Sequence, residues 1–274
     1  MITDPQGGTQ AFTSRNYPTT PRPLAADGVL ITHLHEDHWA PASILLASRA
    51  DTRVIVPRVP RPSLLTQTEP VTLLTACGVD VVALPWWQST MIGDIRIDAL
   101  PFYGEQPTRT ADLVPRELRN WGSCYRVETP EFSVLVLADS GVDPAGSMIP
   151  VIERITAGRG PVDCVASCAL PFAEGVNPGL PEFALVLPFE FLATAFATPA
   201  RPSITAGPRG VADACVAARA RWYLPYAHGF DGLVCSSKDA IVDDVASALA
   251  ARRAATSVVR WNPGDVFSPA VGAP

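Results

Sequence analysis

Short apolar runs alternate with amphipathic stretches along the whole of this 274-residue chain. Runs rich in β-branched residues predict buried strands, which cover residues 28–32, 53–56, 79–84, 94–98, 124–128, 132–138 and 258–261. Apolar positions with a helical period predict helices at residues 41–49, 70–77, 212–222 and 241–255. Strands mixed with helices throughout the chain predict an α/β fold with helices packed outside sheets.

Residues 144–210 differ from the rest of the chain because proline and glycine are frequent there. This composition predicts loops and short helices, and we interpret the stretch as an insertion on the main fold. The sequence contains no internal repeat and no sharp linker. We therefore expect a single domain over residues 1–274, with an insertion around residues 144–210.

Composition and charge narrow the class of protein. Hydrophobic residues make up 47% and charged residues 18% of the chain, which is enough apolar material for a sizeable core. The 21 basic and 27 acidic residues give a net charge of −6. A nucleic-acid partner or an anionic membrane would call for a basic surface, so we expect neither. The most apolar stretch, residues 183–197, is interrupted by Pro188 and Glu190 and is too short to span a bilayer.

The six cysteines are dispersed and form no Cys-x-x-Cys motif, so neither a zinc knuckle nor a disulfide framework is predicted. Cys164 and Cys168 are four residues apart, but two thiolates alone are an incomplete metal site. The first ten residues lack the charged and apolar regions of a secretory signal. We therefore expect a cytoplasmic protein with reduced thiols.

Histidine is concentrated in one short segment. The chain has four histidines, and three of them lie in the pattern His-x-His-x-Asp-His directly after the first predicted strand. The residues of this pattern are His33, His35, Asp37 and His38. Imidazoles and a carboxylate crowded at the end of a strand are the donors that a divalent metal needs. The alternative is a polar loop that happens to be rich in histidine.

This motif resembles the signature of the metallo-β-lactamase superfamily, and the resemblance runs through most of the chain. It implies a four-layer αββα fold with two metal ions at the strand ends. It also implies that Asp139, which ends an apolar run, bridges the metals, and that His228, at the end of another strand, completes the second site. The alternatives are a turn or helix-capping role for Asp139 and simple packing for His228.

One departure from the family pattern carries information about the metal. Most hydrolases of this family place a third histidine on the first metal, but no histidine lies between His38 and His228. Glu105 follows a predicted strand at the expected place and is the natural substitute. Tyr103 and Asp112 are weaker candidates, and Glu105 could instead be an ordinary surface acid.

The resemblance implies a complete ligand set. One ion would be held by His33, His35 and Glu105, the other by Asp37, His38 and His228, with Asp139 between them. A carboxylate in place of a neutral imidazole adds negative charge and hard oxygen donors, which favour iron over zinc. The same order of ligands is similar to the diiron β-hydroxylase branch of the superfamily, whose chloramphenicol-pathway members hydroxylate an amino acid held on a carrier protein.

The resulting hypothesis is a non-haem diiron oxygenase. It would use two iron ions, dioxygen as co-substrate and an external electron donor to hydroxylate or oxidise a small substrate in specialised metabolism. That substrate would be amino-acid-derived or tethered to a carrier protein. The alternatives are a dinuclear zinc or manganese hydrolase of an ester, lactone or phosphodiester, and a metal-stabilised binding module without activity.

The segment before the first motif is short. Only 32 residues precede His33, whereas the family usually has several strands there, and the first five residues resemble the end of one of them. The first sheet would then lack an outer strand. Because an unpaired sheet edge is an aggregation hazard, we expect a homodimer or a partner that covers it.

Overall fold

The computed structural model of the chain describes residues 2–3, 26–34, 38–59, 70–104, 108–109, 112–113, 121–143, 145–171, 205–226, 238–260 and 267. Its longer helices are α1 (Pro41–Ala47), α2 (Pro70–Ala76), α3 (Met148–Arg159), α4 (Gly207–Ala218) and α5 (Lys238–Ala251). The strands form two main sheets and two small two-stranded ones.

Sheet 1 has four strands in the order β1-β2-β3-β4, and all of its pairings are parallel. These strands are β1 (Ile2–Thr3), β2 (Gly28–Leu30), β3 (Arg53–Pro57) and β4 (Asp80–Leu84). Strands β2 and β3 are buried almost throughout, as expected of parallel strands covered on both faces. The carboxyl end of β2 leads directly into His33.

Sheet 2 has seven strands in the order β15-β14-β13-β10-β9-β6-β5. These strands are β5 (Ser89–Ile92), β6 (Ile95–Pro101), β9 (Ser123–Glu128), β10 (Ser133–Ala138), β13 (Cys164–Ser167), β14 (Trp222–Pro225) and β15 (Ser257–Val258). Strand β9 is antiparallel to both β6 and β10, while β10, β13 and β14 are mutually parallel. Strands β6, β10 and β14 therefore all end at the same edge of the sheet.

The two small sheets are formed by residues that follow β6 and β10 in the sequence. One pairs β7 (Thr108–Arg109) with β8 (Asp112–Leu113), and the other pairs β11 (Val142–Asp143) with β12 (Gly146–Ser147). The second hairpin connects the end of β10 to helix α3. Ser147 caps this helix by accepting a hydrogen bond from the Ile149 amide.

The layers pack as helix, sheet, sheet, helix. On one face, alternate residues of β2 and β3, including Val29 and Val54, pack against Ile44 of α1 and Leu74 of α2. On the other face, Leu30 and Ile55 meet sheet 2. The far face of sheet 2 packs on α3, α4 and α5 in the largest apolar cluster. The four-layer αββα arrangement expected from the sequence is confirmed.

Most elements with a strong hydrophobic period were predicted correctly, but several helix ends were wrong; the helix predicted for residues 241–255, for example, is α5 (Lys238–Ala251). The helix predicted for residues 212–222 ends at Ala218, and Trp222 begins β14. Arg219 has a left-handed backbone with φ of 51°, which ends the helix. The apolar pattern runs across this boundary because both the helix and the strand are buried, so the period alone did not mark it.

The stretch of residues 144–210 was predicted to form loops and short helices, and this is wrong for residues 148–167. Twelve residues form α3, and Cys164–Ser167 form the buried strand β13 inside sheet 2. Pro150 lies in the first turn of α3, where the missing amide hydrogen costs nothing. Residues 172–204 lie outside the described part of the chain, and the division into one domain with an insertion stays a prediction.

Within the described residues, no helix is long and apolar enough to cross a membrane. At the edge of sheet 1, β1 pairs with β2 at two positions, Ile2 with Val29 and Thr3 with Leu30. The resemblance of the first five residues to the end of a family strand agrees with this pairing.

Candidate metal centre

Three of the predicted ligands converge at the shared strand edge. His33 follows β2, His38 precedes α1, and Asp139 follows β10. One ligand atom from each lies within 4.8 Å of the others, and all three side chains are buried. His38 Nε2 is 2.8 Å from Asp139 Oδ2. Buried imidazoles and a carboxylate this close together are a typical metal-binding arrangement.

His33 is held from several sides. Thr32 Oγ1 is 3.0 Å from His33 Nδ1, so Nε2 is the ring nitrogen that would ligate a metal. The imidazole stacks on Phe102 with ring centroids 5.0 Å apart. The backbone forms an antiparallel bridge with Gly122, and the Ser123 amide donates to the Thr32 carbonyl at 2.7 Å. This site depends on glycine, because a Cβ on Gly122 would lie 2.7 Å from Phe102 Cγ and 3.0 Å from His33 Cβ.

Asp139 follows a strained turn. Ala138 has φ of 48°, and the register of β10 against β13 shifts between Val136 and Ala138. A left-handed conformation in a residue with a Cβ costs free energy and is common where a side chain must be aimed at a site. The Cys168 amide fixes this turn by donating to the Ala138 carbonyl at 2.8 Å.

The environment of Asp139 fits a bound cation. The side chain is 5% exposed, and its Oδ1 has no hydrogen-bond partner among the described residues. A buried carboxylate oxygen normally accepts hydrogen bonds or ligates a metal. These buried donors are therefore suited to binding a divalent or trivalent metal ion.

The remaining predicted ligands, His35, Asp37, Glu105 and His228, lie outside the described residues. The elements that lead to two of them nevertheless reach the centre. Tyr226, two residues before His228, has its ring centroid 6.2 Å from that of His38. Gly104, one residue before Glu105, follows β6, which ends at the same edge as β10.

The structure describes the side chain of Tyr103, one of the two weaker ligand candidates, but not that of the other, Asp112. The ring of Tyr103 lies beside Gly146, where a Cβ would be 2.6 Å from the tyrosine Cζ, and its centroid is 6.2 Å from that of Trp86. Tyr103 belongs to the apolar packing around α3, so nothing here favours it as a ligand. Asp112 begins β8, and the structure does not describe its side chain.

Several residues that contact the segments next to the predicted ligands were missed by sequence reasoning. They are Thr32, Phe102, Gly122 and Asp143, together with Trp86, whose Nε1 donates to the Gly122 carbonyl at 2.8 Å. Asp143 could have been noticed in the sequence, since Asp-Pro-Ala-Gly is a typical turn sequence. No sequence pattern marks Gly122, because its role arises from a bridge to His33, which is 89 positions away.

The described cysteines are Cys77, Cys124, Cys164, Cys168 and Cys215, and no disulfide joins any of these five. Burial raises the pKa of Cys215 to about 12 and also raises the pKa of Cys164. These thiols therefore stay protonated at neutral pH. The described part of the centre consists of nitrogen and oxygen donors.

Fold and site together define a class, namely four-layer α/β proteins with a buried histidine and aspartate metal site at the strand ends. The model of the family described as "Beta-lactamase superfamily domain" matches residues 2–167, which is more than half of the chain. The chain belongs to this superfamily.

The chain is similar to a protein of Streptomyces venezuelae named 4-amino-L-phenylalanyl-(CmlP-peptidyl-carrier-protein) 3-hydroxylase. The two are 30% identical over 162 residues, which cover 59% of this chain and 27% of that protein. The crystal structure of CmlA, a diiron β-hydroxylase of the same organism, has a TM-score of 0.66 and 21% identity. That alignment covers 95% of this chain and 49% of CmlA, so this chain spans about half of the crystallised relative.

Hydrolases share the same fold. An isothiocyanate hydrolase from Delia radicum gut bacteria has a TM-score of 0.55 and 12% identity, and the alignment covers 97% of this chain and 92% of that protein. At such low identity the likeness shows the fold alone.

Proposed function

We propose that the centre binds two metal ions. His33, His35 and Glu105 would hold the first ion, Asp37, His38 and His228 the second, and Asp139 would bridge them. The buried cluster of His33, His38 and Asp139, with ligand atoms within 4.8 Å, is the observation that carries this proposal. The buried Asp139 Oδ1, which has no hydrogen-bond partner among the described residues, supports a role for this carboxylate in holding metal.

We further propose that the metal is iron. Seven ligands would contribute four imidazole nitrogens and three carboxylates, with no sulfur. Carboxylate donors stabilise the oxidised, more highly charged ion, and Glu105 adds one where hydrolases of the superfamily have an imidazole. Bound iron would supply the redox chemistry needed to activate dioxygen, and an external electron donor would reduce the iron.

The proposed activity is that of a diiron oxygenase that hydroxylates or oxidises a small substrate. The similar Streptomyces protein is named as a hydroxylase of an aminophenylalanyl group on a peptidyl carrier protein, and CmlA is named as a diiron β-hydroxylase. These names support an amino-acid-derived or carrier-tethered substrate for this chain. Its specialised-metabolic role, cytoplasmic location and homodimeric state are proposals of the same kind.

The residues around the centre have distinct tasks in this proposal. Thr32 would keep the His33 Nδ1 proton in place and so direct Nε2 to the metal. Phe102 would hold the imidazole plane by stacking and exclude water from that side. The strained backbone at Ala138 would aim the Asp139 carboxylate at both ions.

Metal analysis of protein purified without added metal tests the proposal directly. We expect about two iron ions per chain, an electronic spectrum that changes on anaerobic reduction, and oxygen uptake by the reduced protein. Colourless protein with two zinc ions and no oxygen uptake would contradict the oxygenase. Fewer than two metal ions after full reconstitution would contradict the dinuclear site itself.

A dinuclear zinc or manganese hydrolase is the second candidate. The donors that favour it are the two described imidazoles, which zinc accepts readily. The two metals would then supply Lewis acidity that activates water for hydrolysis of an ester, lactone or phosphodiester, and Asp37 would orient that water. Zinc-loaded protein that hydrolyses such substrates, with activity lost in an Asp37→Asn variant, would favour this candidate over the oxygenase.

A further inference from the structure

A second buried carboxylate, Asp143, follows Asp139 by four residues, and it is not one of the predicted ligands. Asp143 is 7% exposed and accepts hydrogen bonds from three backbone amides. Its Oδ1 accepts from Ala145 at 2.6 Å and Gly146 at 3.1 Å, and its Oδ2 accepts from Gly104 at 3.1 Å. Because both oxygens are engaged by amides, Asp143 is suited to holding backbone and not to ligating a metal.

The bond to Gly104 joins two segments that are far apart in the sequence. Asp143 lies four residues after Asp139, and Gly104 is the residue directly before Glu105. Gly104 has φ of 102°, a conformation that residues with a Cβ rarely adopt. This backbone turns the Gly104 amide toward Asp143 at the point where the chain leaves β6.

Two more contacts tie the same segments together. The Gly141 amide donates to the Tyr103 carbonyl at 2.7 Å. The Tyr103 ring lies so close to Gly146 that a Cβ there would be 2.6 Å from Cζ. The exit of β6 and the turn after Asp139 are therefore built as one unit, with Asp143 supplying its charged acceptor.

We infer that Asp143 is a positioning residue for the metal centre: it fixes the backbone that carries Glu105 relative to Asp139. This inference rests on the proposed role of Glu105 as a ligand of the first metal. Groups that orient metal ligands change metal affinity by about 10- to 100-fold when they are removed. Asp143 would thus determine how tightly the first metal binds without touching it.

Metal titration of the apo-protein with zinc and a competing chelator tests this inference. Asp143→Asn keeps the size of the side chain but replaces one acceptor oxygen by a donor, so one segment loses its hydrogen bond. We expect the affinity of one of the two zinc steps to fall about tenfold or more. That step should be the one that Glu105→Gln also weakens.

Asp163→Asn is the matched control. Asp163 Oδ2 also accepts a backbone hydrogen bond, from the Ser133 amide at 2.9 Å, but Ser133 begins β10, at the end of the strand remote from Asp139. This variant should leave both zinc affinities unchanged. Gly104→Ala tests the other partner of the Asp143 bond, and we expect it to weaken the same zinc step. This second variant keeps the test decisive if Asp143→Asn folds poorly by circular dichroism.

A double-mutant cycle separates positioning from general destabilisation. If Asp143 acts through Glu105, Asp143→Asn should change zinc affinity less than about twofold in a Glu105→Gln background. Additive losses, equal losses in both zinc steps, or no loss would overturn the inference. Because zinc binding does not depend on oxygen chemistry, absence of oxygen uptake in the iron-loaded parent would contradict the oxygenase and leave this inference standing.

Discussion

The choice of metal depends on individual donor atoms, and Glu105 is the proposed donor that would distinguish this chain from most hydrolases of its superfamily. A carboxylate there makes the metal shell one unit more negative than an imidazole would. Zinc binds nitrogen-rich sites more tightly than ferrous iron does, so the identity of this one residue should shift the metal preference. The proposal of an iron enzyme is therefore testable by a single substitution.

We expect Glu105→His to keep the fold and both metal sites, to shift the bound metal toward zinc, and to abolish oxygen uptake. Glu105→Gln removes the charge at nearly constant size and should weaken the first metal more than the second. Metal analysis and oxygen uptake on both variants beside the parent measure this. If both variants keep the iron content and oxygen uptake of the parent, Glu105 is not a ligand.

The hydrogen bond between Thr32 and His33 is a second single-residue determinant. Thr32→Val should lower metal affinity about 10-fold, because His33 loses the partner of its Nδ1. Thr52→Val is the control: Thr52 Oγ1 donates to the Ala26 carbonyl and accepts from the Arg49 amide, at the end of β3 remote from the centre. It should cost about 1 kcal/mol of unfolding free energy and leave metal affinity unchanged. Equal metal affinities in the two variants would contradict the role of Thr32.

At the scale of elements, a bridge between the segment after β2 and the segment before β9 brings His33 into place, and it requires glycine at position 122. Gly122 pairs with His33, and the space that a Cβ would need is occupied by Phe102 and His33. Tyr125, on the same strand β9, reaches sheet 1 by donating from its hydroxyl to the Ile31 carbonyl at 2.8 Å. The two sheets are thus joined directly beneath the metal centre.

We expect Gly122→Ala to lower the unfolding free energy by about 1–3 kcal/mol, because the added methyl group overpacks the site. It should also lower metal affinity by displacing His33. Gly158→Ala in α3 is the matched control, since its Cβ would meet nothing within 4 Å. This second change should stabilise the protein by up to about 1 kcal/mol. Denaturant unfolding and metal titration measure both effects, and unchanged metal affinity in Gly122→Ala would contradict the prediction.

The protein as a whole has a core that contains protonated thiols. Burial raises the pKa of Cys215 to about 12 from an ordinary value of 9.0, and it also raises the pKa of Cys164 and of the Tyr223 hydroxyl. Below about pH 9 both folded and unfolded chains keep these protons. Above it the unfolded chain loses thiol protons that the folded chain retains, so stability must fall.

We therefore expect the unfolding free energy to fall as pH rises from about 9 to 11, by up to about 1.4 kcal/mol per pH unit for each buried thiol. Cys215→Ala should reduce this slope, although the variant is less stable at neutral pH because it leaves a cavity. Denaturant unfolding at several pH values measures the slopes, and equal slopes in the parent and Cys215→Ala would refute the prediction.

Assembly is a further property of the whole protein. At the edge of sheet 1, β1 (Ile2–Thr3) pairs with β2 at two positions within the described residues. An edge strand without a further neighbour tends to pair with another chain, so we predict a homodimer or a partner over this edge. Light scattering over a range of micromolar concentrations measures the mass. A stable monomer throughout that range, with no partner, would contradict the prediction.

Local sequence patterns were sufficient for much of the fold and for part of the centre. Strong apolar periods predicted strands such as β3 and β10 and helices such as α1, because burial requires apolar residues at regular spacings in the sequence. The histidine motif was predictable for the same reason, since its donors sit within six residues at the end of one strand. Asp139 was predictable through the resemblance to the family pattern, because it directly ends an apolar run where the family has a metal-bridging aspartate.

The arrangement around those donors could not be read from local patterns. The exposed and half-buried strand β5 was missed because it carries little apolar contrast, and β13 was missed because prolines and glycines surround it. Gly122 beside His33 and Asp143 bonded to Gly104 join positions 89 and 39 residues apart. Such contacts depend on the register and direction in which the strands pair. The residue types of the predicted metal donors are thus a local property of the chain. The residues around them are brought together by sheet pairing, and no local sequence pattern links residues so far apart.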